Sequence, residues 1–215
     1  MLKLLLPIAI LVAVVVVVVS NEERQPKSDF VFINRGDVFT LDPQRMSWLN
    51  DMQMAYCLYE GLVRWNPEDF SVELAAADSM KKSDDGLSYV FHIRDDAKWS
   101  NGALLTAYDF QYAWMRLLTP DFAADYSSFF FSIKGARSYW DWRTKELVHK
   151  TILTPEDIAL KFRELVGVTV VDTKTIRVEL EQPVPYFLDQ LALAVCSPVY
   201  KPCVEGWNIN DSRMN

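Results

Sequence analysis

Between residues 89 and 116 the chain reads YVFHIRDDAKWSNGALLTAYDFQYAWMR, and its apolar positions change period partway along. Tyr89, Phe91 and Ile93 alternate with Val90, His92 and Arg94, the two-residue repeat of a strand with one face toward a core. Asp95 and Asp96 break that pattern, and Asn101-Gly102 supplies the positive φ of a tight turn. Thr106 with Asp109 three residues on has the form of a capping box, so a helix is predicted to start there. Phe110, Trp114 and Leu117 give it an apolar stripe, and Thr119-Pro120 ends it.

The same reading extends along the chain. Residues 30–34 alternate weakly as a first strand. Asn50 or Asp51 can cap a helix running to Tyr59, with Met54, Leu58 and Cys57 inward and Gly61 beyond its end. Residues 62–65 form a short strand, 72–77 fit neither template clearly, and Asp85-Gly86 signals a hairpin into the strand at 89. Thr154, Pro155 and Asp157 make a second helix start, followed by the stripe Ile158, Phe162 and Leu165. Residues 168–171 and 175–180 pair across Asp172-Thr173-Lys174, and 186–193 are helical. The fold class is therefore mixed α and β (α+β). Aromatic residues crowd positions 121–149, among them Phe122, Tyr126, Phe130, Tyr139 and Trp142. Without interleaved basic residues they are assigned to core packing rather than to stacking on a ligand.

Residues 4–19 are apolar throughout, with Lys3 before them and Glu22-Glu23 after. At about 16 residues the run lies between a signal-peptide core and the ~20 needed to span hydrocarbon, so residues 1–20 are a signal peptide or an N-terminal membrane anchor. The charge asymmetry places everything after it outside the cytoplasm. Residues 21–29 are a polar linker. A formal net charge of -7 with no basic stripe excludes a nucleic-acid partner. There are three cysteines. Cys196 and Cys203 are close enough to close a small loop by a disulfide, and three unpaired buried thiols are the other reading. Cys57 is assigned to the core.

No serine-hydrolase, zinc-protease, phosphate-loop or dinucleotide motif is present, so catalysis would rest on the carboxylate pairs Asp84-Asp85 and Asp95-Asp96. Neighbouring residues at a turn point apart, and both pairs are assigned to solvated turns. Two histidines far apart in sequence make a zinc site improbable. The chain is expected to be no enzyme and to need no cofactor or metal.

Four blocks carry a resemblance: FVFINRGDVFTLDPQ at 30–44, LYEGLVRWNPE at 58–68, the strand-turn-helix block at 89–116, and TIRVELEQPVPYFLDQLA at 175–192. Their content and order resemble the extracellular solute-binding proteins, family 5, that deliver oligopeptides and dipeptides to ABC importers. The resemblance implies a periplasmic-binding-protein-like lobe segment with a β-rich smaller domain. Residues 30–59 would be the first segment of lobe I, 60–182 the smaller domain, and 183–215 an incomplete return into lobe I. The opposing lobe is missing, so the chain would be an N-terminal portion, and apolar surface around 186–199 would be left uncovered.

By the same resemblance the partners would be an oligopeptide ligand, an ABC transporter permease and, through the N-terminal segment, the membrane. Location would be periplasmic or otherwise extracytoplasmic. Ser47, Trp48 and Leu49 align with the family segment that lines the cleft beside the peptide. Trp48 stands where that pattern has a small residue, and the other reading of this stretch is a surface loop with Trp48 packed on its own domain. Two lobes closing on a peptide main chain would give broad selectivity, because every peptide offers the same N–H and C=O groups. The alternative function is a truncated, non-transporting fragment or a membrane-tethered interaction protein.

Overall fold

The computed structural model describes residues 36–206, together with 12, 13, 31, 33 and 34. The chain divides into two units, residues 1–35 and 36–215. The leader apart from residues 12 and 13, the linker, and residues 30 and 32 of the first expected strand lie outside the described residues. Val31, Ile33 and Asn34, which are described, carry no strand.

Within the second unit the alternation at 89–93 does what its period demands. Strand β4 (Ser88–Ile93) buries Tyr89, Phe91 and Ile93 and turns Val90 and His92 outward. It is central in a four-stranded antiparallel sheet of order β3-β4-β6-β5, with β3 at Ala77–Lys82, β5 at Val168–Val170 and β6 at Thr175–Glu179. Phe91 faces Ile176 and Tyr89 faces Val178, so the apolar rows of the two inner strands coincide. The β3–β4 hairpin turns at Gly86, whose φ of 70° is the left-handed conformation anticipated from Asp85-Gly86. The ambiguous stretch at 72–77 resolves into β2 (Val72–Leu74) and the start of β3. Strand β2 pairs with β1 (Val63–Trp65) in a separate ribbon.

The helices at 107 and 155 start at their capping boxes, whereas the helix near 50 begins ahead of Asn50 and Asp51, from Trp48, with no side-chain cap. Helix α1 is Leu49–Leu58 and helix α2 is Ala107–Leu118. At the start of α2 the Asp109 carboxylate accepts from both the N–H and the hydroxyl of Thr106, each at 2.8 Å. Phe110, Trp114 and Leu117 are all fully buried, and α2 lies on β5 and β6. Gln111 Nε2 donates to the Val168 carbonyl at 2.9 Å, fixing the helix along the sheet. Helices α3 (Ala136–Val148) and α4 (Pro155–Leu165) pack together through an edge-on contact of Tyr139 with Phe162, ring centroids 5.4 Å apart. Of the 121–149 aromatics, Phe130 and Tyr139 are buried in the core, Phe122, Tyr126, Phe131 and Trp142 pack half-buried against it, and Phe129 is exposed.

Gly135 precedes α3 at φ 70°, and a Cβ there would sit 1.8 Å from the Leu165 carbonyl oxygen, so glycine is required for α4 to approach. The last elements are α5 (Phe187–Leu191), a 3₁₀ turn at Ala194–Cys196 and α6 (Lys201–Glu205). They return across β1 and α1. Leu191, Val195, Cys196 and Val199 are buried there, so the uncovered apolar surface is not the one expected at 186–199, apart from Tyr186. The exposed apolar side chains are instead those of Val38, Phe39, Leu41, Trp48, Leu49, Tyr56 and Leu58, and elsewhere those of Phe70, Val148 and Ile152 among others.

Candidate functional site

Asp42 opens a 3₁₀ turn, Pro43–Arg45, and its carboxylate accepts from the Gln44 N–H at 3.1 Å. Proline at the first turn position has its φ already set, so the Leu41-Asp42-Pro43 sequence forms this corner locally. The corner is then pinned from a distance. Gln44 is 1% exposed and donates from Nε2 to the Ala113 carbonyl of α2 at 2.5 Å. Met46 is buried against Ala55 and Ala194. The Tyr59 hydroxyl donates to the Leu41 carbonyl at 2.7 Å, and burial pushes its pKa up.

Ser47, Trp48 and Leu49 follow at once. Ser47 is half-buried and its hydroxyl donates to the Asp125 carboxylate. Trp48 is 71% exposed and Leu49 is 57% exposed. Trp48 is therefore a surface side chain that is not packed into its own domain. Behind them, Asp51 is 1% exposed and accepts from the Phe39 N–H at 2.8 Å, tying the preceding extended stretch to α1. The structure thus places the three candidate residues together at the N-terminus of α1, one engaged by Asp125 and two presented outward. Such a ledge offers an apolar wall and open space.

Other expectations meet the structure less well. Cys196 and Cys203 are separate thiols, as is Cys57, which corrects the disulfide reading. Cys196 faces inward, with its thiol on the Gln190 carbonyl at 3.0 Å and its pKa pushed up by burial, whereas Cys203 lies exposed on α6. Cys57 is exposed rather than in the core, because the buried face of α1 runs through Asp51 and Ala55 and leaves Leu58 outside as well. The carboxylate pairs sit in turns. Asp85 accepts from the Ser83 hydroxyl at 2.5 Å and the Leu87 N–H at 3.0 Å, and these bonds hold its pKa below the usual carboxylate range. Among the described residues no cluster of His, Cys, Asp or Glu could hold a metal ion. A cavity lined by Phe129, Phe130, Phe187, Gln190, Leu191 and Cys196 measures about 10 Å³, room for a single water.

The sequence pattern did not single out Arg116, Gln44 or Asp125, and it gave Asp51 the role of a helix cap rather than of the buried acceptor for the Phe39 N–H. Arg116 and Asp42 are separated by 74 positions, so no local pattern announces their pairing. The one available signal was a charged residue in the last turn of an otherwise amphipathic helix, and Asp109 and Arg116 also suit the helix ends electrostatically.

Comparison with known proteins completes the picture. Residues 71–213 match the family model described as bacterial extracellular solute-binding proteins, family 5 Middle, and the chain belongs to that family. Its curated relatives include the probable deoxycholate-binding periplasmic protein YgiS of Escherichia coli, 32% identical over 84% of this chain and 31% of its own length. The oligopeptide-binding protein OppA of Bacillus subtilis is 36% identical over 71% of this chain and 25% of its own. Among solved structures, Haemophilus influenzae OppA in complex with RPPGFSPFR superposes with a TM-score of 0.66 at 30% identity, covering 82% of this chain and 31% of that one. The murein tripeptide-binding protein MppA of Escherichia coli gives 0.65 at 32% identity, covering 79% and 30%. The chain spans about 30% of the length of these relatives, and its mixed α/β fold is theirs.

Proposed function

We propose that this chain contributes one wall of a peptide-binding cleft in a solute-binding component of an ABC importer, outside the cytoplasmic membrane. Ser47, Trp48 and Leu49 are the wall, residues 30–59 with the return at 183–215 are the first-lobe part, and residues 60–182 are the smaller domain. The observation that carries this reading is the outward presentation of Trp48 and Leu49 from a corner that is itself rigidly held. An apolar pair displayed on a firm support beside exposed Phe39 and Leu41 suits contact with a ligand. The OppA and MppA names and the nonapeptide in the Haemophilus complex supply the ligand class. Residues 1–20 would act as the export signal or anchor.

Calorimetric titration of the purified chain from residue 21 with a mixed pool of tri- to pentapeptides tests this. Heat saturating at micromolar peptide, reduced in Trp48→Ala, supports the cleft wall. A second ligand class, an amphipathic steroid, suits the same apolar pair and is the one in the name of the YgiS relative. Deoxycholate in place of peptides in the same titration separates the two: heat with deoxycholate alone would replace the peptide reading.

A further inference from the structure

The bonds converging on the Asp42 corner come chiefly from one side chain. Arg116, in the last turn of α2, donates from Nη1 to Asp42 Oδ1 at 3.1 Å and to Gln44 Oε1 at 2.6 Å, and from Nη2 to Asp42 Oδ2 at 2.5 Å. Its guanidinium carbon lies 3.5 Å over the Phe122 ring centroid. The side chains of Arg116 and Asp42 are 16% and 15% exposed, so the pair is largely shielded from water and salt. A bidentate fork with a stacked aromatic face is a geometry that lysine cannot reproduce.

The geometry points to Arg116 as the positioning residue of the peptide-contacting segment at 47–49, an inference that rests on the cleft reading above. The route from Arg116 to the ligand-facing residues is short and stiff. Its two partners, Asp42 and Gln44, bracket Pro43. Asp42 also caps the turn, and Gln44 is held a second time by the Ala113 carbonyl. Met46 is locked in the core, and Ser47 is the next residue. Ser47 then reaches Asp125, three residues beyond Phe122, the ring on which Arg116 stacks. Arg116 therefore grips both ends of the support: the corner before Ser47 and the loop that carries its acceptor. Freeing the corner lets Trp48 sample several positions, and a cleft wall that wanders binds more weakly because each binding event must first order it.

Nothing in this assigns Arg116 a contact with ligand. Its effect passes through Asp42 and Gln44, so the test must read position separately from affinity. Incorporating 5-fluorotryptophan and assigning Trp48 with Trp48→Phe gives a fluorine signal for that ring alone. Arg116→Lys and Asp42→Asn are both measured, so that a folding failure in one leaves the other to decide. In each, the Trp48 signal is expected to shift and broaden while those of Trp140 and Trp142 stay in place, and peptide affinity is expected to fall at least about tenfold. An unchanged Trp48 signal in the folded variants would overturn the inference, whatever the affinity. Should the unmodified chain bind no peptide, the cleft reading falls, while the fluorine spectra still show whether Arg116 sets the position of Trp48.

Discussion

The indole N–H of Trp114 donates to the Cys196 carbonyl at 2.9 Å, in the core, joining residues 82 positions apart. Trp114 sits on the helix that braces the sheet, and Cys196 belongs to the returning segment that backs α1. This single bond therefore ties the support of the candidate cleft wall to the sheet-bearing part of the chain.

Trp114→Phe keeps most of the packing and strands the Cys196 carbonyl. A buried acceptor left without a donor costs about 1–3 kcal/mol. Urea unfolding of the variant is expected to show a lower midpoint at unchanged slope, and an unchanged midpoint would mean that the bond contributes nothing.

At Gly135 a Cβ would meet the Leu165 carbonyl oxygen, and the backbone is already at φ 70°. Gly135→Ala should destabilise the chain by about 2 kcal/mol or more, combining left-handed strain with separation of α3 from α4. The same unfolding experiment reads it, and a neutral result would mean that α4 can withdraw without loss.

Thiol labelling follows from burial. Cys57 and Cys203 are exposed and Cys196 is enclosed, its thiol held protonated by its surroundings. Ellman's reagent is expected to modify Cys57 and Cys203 in the native protein and to reach Cys196 only on unfolding. A mass two hydrogens light before reduction would instead reveal a disulfide.

At the start of α4, the Asp157 carboxylate accepts from the Thr154 hydroxyl at 2.7 Å and the Thr154 N–H at 2.9 Å, and these bonds lower its pKa. A depressed folded value means that the stabilisation is present above the unfolded carboxylate pKa of about 3.9 and disappears as pH falls through the folded one. Asp157→Asn should therefore lose less stability than the parent in acid titration below about pH 4. Parallel curves for the two would contradict the assignment.

What the sequence made legible was whatever is decided within a few residues. The alternation of Tyr89, Phe91 and Ile93, the boxes at Thr106 and Thr154, and the turns at Gly86 and Gly102 all took their expected form. The family itself was readable from four blocks in order. Less legible was anything set by distant packing. The inward face of α1 was misassigned because it is built on a buried carboxylate, Asp51, whose partner is the Phe39 backbone, so hydrophobic spacing pointed to Leu58 and Cys57 instead. Arg116 was invisible for the same reason: its partners are 72 and 74 positions away.

The central claim is that residues 47–49 face a bound peptide. A pentapeptide carrying benzoylphenylalanine, irradiated with the purified chain and digested with trypsin, tests it directly by mass spectrometry. Adducts are expected on the tryptic fragment 46–64, concentrated at Trp48 and Leu49 and competed away by unlabelled peptide. Adducts confined to other fragments, or none that unlabelled peptide can displace, would contradict the account.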